Sequence, residues 1–75
     1  MSKWKPKPGT ALSAREREVI MLRGEGLTIK EVAGKLFIEP RTVAFHCQSV
    51  YTKVGVHSLP HALRALHEKD KRETN

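Results

Sequence analysis

TIKEVAGKLFIEPRTVAFHCQSVYTKVGV, residues 28–56, decides how this chain folds. Thr28 is a good helix N-cap, and Glu31 three residues later can return a bond to the Thr28 N–H, which makes a capping box. Val32, Ala33 and Leu36 then fall on one face at helical spacing. Phe37, Ile38 and Glu39 form a connection too short for anything but a sharp corner. Pro40 suits the first turn of a second helix, where its missing N–H costs nothing. Val43, Cys47, Val50 and Val54 make one apolar stripe, and Gly55 stands where a left-handed C-cap is wanted. Two helices joined by about three residues, the second with a polar outer face, make a helix-turn-helix of the DNA-binding kind.

Working outward, a first helix begins at Ser13, whose spacing to Glu16 repeats the capping box, with Leu12 placed to act as a hydrophobic staple. Val19, Ile20 and Leu22 are its buried side; Arg15, Arg17, Glu18 and Arg23 are its wet side. Gly24 and Gly26 end it. A last helix starts at Ser58, with Leu59 and Pro60 in its first turn and Leu59, Ala62, Leu63 and Leu66 as its apolar stripe. The expected fold class is all-α, four helices with no sheet and no wing. Residues 10–68 make the helix-turn-helix domain, and 69–75 make a frayed tail, because the periodicity is lost from Glu68 on.

Residues 1–9 carry Lys3, Lys5 and Lys7 between Pro6, Pro8 and Gly9, a composition that forbids a helix and favours an extended basic arm. It is either a solvated tail or an arm on DNA phosphate or in a groove. Trp4 could instead pack on the body.

With 75 residues the chain is one domain at most, and a domain of this size buries only about 60% of its unfolded surface. No active-site cleft fits beside such a scaffold, so no enzyme, no catalytic residue and no cofactor is expected. Lys and Arg number 14 against 8 Asp and Glu, a net charge of +6 and a pI near 9.9. That balance suits a polyanionic partner. Cys47 is the single cysteine, which excludes an internal disulfide and fits a reducing compartment. No apolar run approaches the roughly 20 residues a membrane span needs, and MSKWKPKPGT lacks the apolar centre of a signal peptide.

Leu12 to Val19 (LSAREREV), Gly26-Leu27-Thr28 with Lys30-Glu31-Val32-Ala33, Thr42-Val43 with His46, and Lys53-Val54-Gly55-Val56 together resemble the LuxR/GerE family of bacterial transcription regulators. The likeness runs from about Leu12 to Leu66. It implies a four-helix domain whose third helix enters the major groove and whose fourth pairs with its twin in a dimer. It also implies a cytoplasmic, nucleoid-associated protein of bacterial or phage origin. With only the arm ahead of the module, the chain looks like the stand-alone, GerE-like kind. Several positions depart from the family pattern. Ile29 stands where Asn is usual, Glu39 where a Ser N-cap is usual, Ala44 where Lys is usual, Ser49 for Asn and Gly24 for Ala. Glu39 is a poor side-chain cap that still suits the positive end of the helix dipole.

On this reading Ala44, Phe45 and Gln48 are the base-reading residues of the third helix. Gln48 can pair bidentately with adenine, and Ala44 and Phe45 can meet only a thymine methyl, so an A/T-leaning half-site is expected. Phe45 could instead fold back into the core. Phosphate contacts are expected from Lys30, Arg41, Thr42, His46 and Lys53, with Lys3, Lys5 and Lys7 in the arm and backbone N–H groups at helix N-termini. His46 could equally bond a neighbouring carbonyl, while Lys35 and Arg23 are read as solvated. Leu59, Ala62, Leu63 and Leu66 are the expected dimer interface, although Leu63 and Leu66 could pack on the first helix. The partner is then a palindromic or pseudo-palindromic DNA duplex. The alternative is an interaction module that binds RNA polymerase or another regulator, kept open by the apolar Ile29 and Ala44. His57 and His61 straddle the last N-cap without a third ligand, so no metal site is expected.

Overall fold

The computed structural model describes the backbone of residues 11–73 and side chains through Glu68; the basic arm with Lys3, Lys5 and Lys7, and Trp4, lie outside the described residues. Four helices follow in order: α1 Ala14–Gly24, α2 Ile29–Leu36, α3 Pro40–Val54 and α4 Leu59–Glu73. Among the described residues there is no strand, so the fold is all-α. The backbone of α4 stays helical through Glu73, past the point where the apolar period is lost.

Both capping boxes form. The Glu16 N–H donates to Ser13 Oγ at 3.1 Å and the Ser13 N–H to Glu16 Oε1 at 2.8 Å; Thr28 and Glu31 repeat the pair at the same distances. Helix α3 starts on Pro40 and stops at Gly55, whose φ of 84° is the left-handed conformation that glycine tolerates best. Gly24 is the last helical residue of α1 rather than its terminator, and the left-handed residue after it is Gly26, at φ 100°.

Helix α3 touches all three others, and two apolar clusters flank it. Val19, Val32, Ala33, Val43 and Cys47 fill the space between α1, α2 and α3. Ile20, Val50 and Ala62 fill the space between α1, α3 and α4. Val19, Ile20, Val32, Val43 and Val50 are fully buried, each contributing roughly 1.5–3 kcal/mol of transfer free energy.

Phe37 ends α2 in the left-handed region (φ 58°, ψ 43°), without a glycine, and is 93% exposed. The bend lets the Ile38 N–H reach the Ala33 carbonyl at 3.1 Å and lays Ile38 against the first cluster. The unfavourable backbone of Phe37 is therefore offset by the burial of its neighbour.

Ala62 corrects the expected dimer surface. It is fully buried in the second cluster, so it belongs to the core of one chain and is not available to a partner. Leu59, Leu63 and Leu66 pack on the same cluster and remain half-exposed.

Candidate nucleic-acid interface

A helix that buries Val43, Cys47, Ser49 and Val50 presents its opposite side outward. Arg41 and Gln48 are exposed, Phe45 is 47% exposed, and Ala44 and Thr52 are half-buried. These side chains share the outer face of α3, so the three expected base readers stand together. The Phe45 ring stays outside the core and meets the His46 ring edge-on, with centroids 6.2 Å apart. Lys30, in the first turn of α2, is exposed, while Thr42 and His46 are half-buried. Ile29 packs against the first cluster instead of offering apolar surface to a partner.

Lys53 departs from the expected phosphate set. Its ammonium lies 2.6 Å from Glu16 Oε1 and also donates to the Ala11 carbonyl at 3.3 Å, and its side chain is only 12% exposed. Ser49 donates to the other carboxylate oxygen, Glu16 Oε2. A cation held by a buried carboxylate is committed to the fold, so Lys53 is reassigned from phosphate contact to the α1–α3 junction.

Burial raises the Glu16 pKa, but the hydrogen bonds from Lys53, Ser49 and the Ser13 N–H, with the Lys53 charge, outweigh it and lower the pKa from 4.5 to about 2. Nothing in the local period announced this site. Glu16 reads as a capping residue, and Ser49 and Lys53 lie 33 and 37 residues further on.

Arg23 also differs from its expected solvated state. Its Nη1 donates to the Leu27 carbonyl at 2.8 Å, which ties the α1–α2 turn, and its Nε is buried with no partner among the described residues. Burial pushes the Cys47 thiol pKa up, against the nearby Arg23 charge. Cys47 is thus an unreactive core thiol. Burial, then Cys47, raise Tyr51 in the same way.

His57 and His61 are both exposed, and His61 Nδ1 is paired with Ser58 Oγ at 2.6 Å. Among the described residues no three His, Cys, Asp or Glu side chains gather as a metal would require. No described helix is long and apolar enough to cross a membrane.

Residues 10–66 match the family described as bacterial regulatory proteins, luxR family. The chain is similar to the transcriptional activator protein SolR of Ralstonia nicotianae, 46% identical over 55 residues covering 73% of this chain and 23% of SolR. It is similar to the probable transcriptional regulatory protein NarL of Mycobacterium tuberculosis, 47% identical over 45 residues covering 60% of this chain and 21% of NarL. Among solved structures, the response regulator ChrA of a heme-sensing two-component system superposes with a TM-score of 0.78 at 36% identity, covering 92% of this chain and 34% of ChrA. The chain spans less than a quarter of the length of SolR and NarL, and 5% of a matching HTH-type regulator of Mycobacterium bovis.

Proposed function

The chain belongs to the luxR family of bacterial regulatory proteins, DNA-binding helix-turn-helix transcription regulators and not a class of enzyme, and from that premise we propose that it reads double-stranded DNA as a dimer, with α3 in the major groove. The observation that carries the reading is the outer face of α3, where Arg41, Phe45 and Gln48 project from a helix whose opposite side is core. Gln48 is the adenine reader, Ala44 and Phe45 meet thymine methyls, and the half-site leans to A·T. Lys30, Arg41, Thr42 and His46 contact phosphate, and the basic arm with Lys3, Lys5 and Lys7 adds charge at its own end of the site. Lys53 has no part in this set.

Dimerisation uses the half-exposed parts of Leu59, Leu63 and Leu66 on α4, and two half-sites about one helical turn apart make the operator palindromic. A regulator of this kind works in the cytoplasm, at the nucleoid. Selection of bound duplexes from a random library, with the enriched site titrated against salt, tests the reading. An enriched palindrome whose log affinity falls with log salt by about 0.9 per neutralised phosphate supports it. Weak binding to every duplex alike, with nothing enriched, rejects it.

A second reading is an adaptor that binds RNA polymerase or another regulator, favoured by the exposed apolar side chains Phe37 and Met21, at 93% and 57%. Arg41→Glu separates the two. It abolishes DNA binding and activity in cells on the first reading, and leaves activity intact on the second.

A further inference from the structure

Two neighbouring side chains on the outer part of α3 hold no polar atom. Phe45 keeps its ring outside the core, 47% exposed and edge-on to His46 with centroids 6.2 Å apart, and Ala44 beside it is half-buried. Gln48 follows Phe45 by three residues and Ala44 by four. Those are the helical spacings that put side chains on one face, with Cβ atoms about 5–6 Å apart. The face also carries Arg41 and Thr52 and no carboxylate, so a polyanion is not repelled from it. On a duplex read by α3, the Phe45 ring and the Gln48 amide stand at most about two base-pair steps of 3.4 Å apart.

A phenyl ring cannot tell a donor on a base edge from an acceptor. What it can remove from water is an apolar group, and among the four ordinary bases only thymine offers one in the major groove, its C5-methyl. Methylation of cytosine at C5 puts the same group at the same ring position, projecting into the same groove. The two pyrimidines still differ in their polar edges, O4 in thymine and the N4 amino group in cytosine. A side chain without polar atoms is blind to that difference. We propose that Phe45, with Ala44 beside it, reads the pyrimidine C5-methyl group whichever base carries it. At that position 5-methylcytosine replaces thymine, and the affinity of the protein for its operator responds to cytosine methylation. The inference rests on α3 reading the major groove, as proposed above, and adds a modified base to what that face accepts.

The size of the effect follows from the group that is read. Burying one methyl group strengthens binding about 4-fold in each half-site. Unmodified cytosine, with only a hydrogen at C5, is the poorer ligand by that factor. A T·A pair differs from U·A only in this methyl, and 5-methylcytosine·G differs from C·G only in the same way. Each comparison therefore leaves the opposite base, and whatever Gln48 reads there, unchanged.

The test takes the site selected by the full chain and replaces its thymines by uracil, one at a time. One replacement in each half-site, within about two pairs of the base whose preference is lost in Gln48→Ala, weakens binding about 4-fold. With a C·G pair at that position, 5-methylcytosine binds about 4-fold more tightly than cytosine. Both differences vanish in Phe45→Ala and persist in Phe45→Leu, which keeps an apolar side chain. The base analogues need no change to the protein, so a folding defect in Phe45→Ala does not blunt the result. Uracil sites that all bind like the original, or cytosine and 5-methylcytosine that bind alike, overturn the inference and leave the DNA-reading proposal standing. A methyl preference that survives in a folded Phe45→Ala also overturns it. No enriched site for the unsubstituted protein overturns the DNA-reading proposal and the inference with it.

Discussion

Lys53 Nζ lies 2.6 Å from Glu16 Oε1 across 37 residues of sequence, with the two side chains only 12% and 8% exposed. One carboxylate thereby does two jobs. It completes the N-terminal cap of α1 and holds the last two turns of α3 through Ser49 and Lys53. The orientation of α3 is set toward its C-terminal end by an ion pair, and along its length by the valine stripe.

Acid should loosen this junction. The folded Glu16 pKa of about 2 lies below its ordinary 4.5, so the pair stabilises the fold fully above about pH 4.5, and the contribution is lost as pH falls toward 2. At neutral pH it amounts to about 3 kcal/mol. Denaturant melts of the parent and of Glu16→Gln between pH 7 and pH 2 check it. The variant should be less stable at pH 7 and show a flatter decline below pH 4.5; parallel curves would contradict the assignment.

Substitution at Lys53 and Arg41 should separate structure from DNA contact. Lys53→Met leaves Glu16 buried without its cation and should cost about 3 kcal/mol of folding stability. Arg41 is exposed, so Arg41→Ala should change stability by no more than about 0.5 kcal/mol. It should weaken binding to every duplex and reduce the magnitude of the salt slope by about 0.9. Unfolding curves and salt titrations of the two variants give both readouts.

Phe37→Gly should stabilise the domain. The left-handed backbone costs a phenylalanine roughly 1–2 kcal/mol, and a ring that is 93% exposed gives up almost no burial when removed. Glycine returns some of the gain through its freer unfolded chain, leaving a net increase of about 0.5–1 kcal/mol. Phe37→Val, β-branched at the same φ, should move the thermal midpoint the other way. A lower midpoint for Phe37→Gly would show that the ring itself contributes.

Gly24 and Leu63 should couple. A Cβ built on Gly24 would stand 2.9 Å from Leu63 Cδ2, so α1 ends on glycine where α4 leans against it. Gly24→Ala gains about 1 kcal/mol of helix propensity and loses most of it by displacing the leucine. In a Leu63→Ala background the displacement vanishes, and the same alanine should stabilise by about 1 kcal/mol. A double-mutant cycle should give an interaction of at least about 0.5 kcal/mol, and additivity would refute the contact.

Much of this was legible in the sequence because it is local. Ser13 with Glu16, Thr28 with Glu31, Pro40 and Gly55 fix helix ends within four residues of themselves, and the period of Val43, Cys47 and Val50 fixes which side of α3 faces out. The positions of Arg41, Phe45 and Gln48 follow from that period. Lys53 reads as one more surface cation because its partner is 37 residues away, and no periodicity encodes such a pairing. Arg23 is similar: its guanidinium is captured by the carbonyl of Leu27, whose position depends on how the turn closes. Ala62 fails for a different reason. An apolar stripe looks the same whether its own chain or another covers it, and only the packing of α4 on Ile20 and Val50 decides. At Phe37 the local preference for glycine yielded to the need to bring Ile38 back onto the core.

Ala62 has a mechanical consequence. Locked between Ile20 and Val50, it fixes the azimuth of α4 about its own axis, so Pro60, His61, Arg64 and His67 are the side chains turned outward. A twin docking on that helix inherits an angle already chosen inside each monomer. In the dimer proposed above, the gap between the two α3 helices, and with it the spacing of the half-sites, would be measured out by a methyl group buried inside each chain.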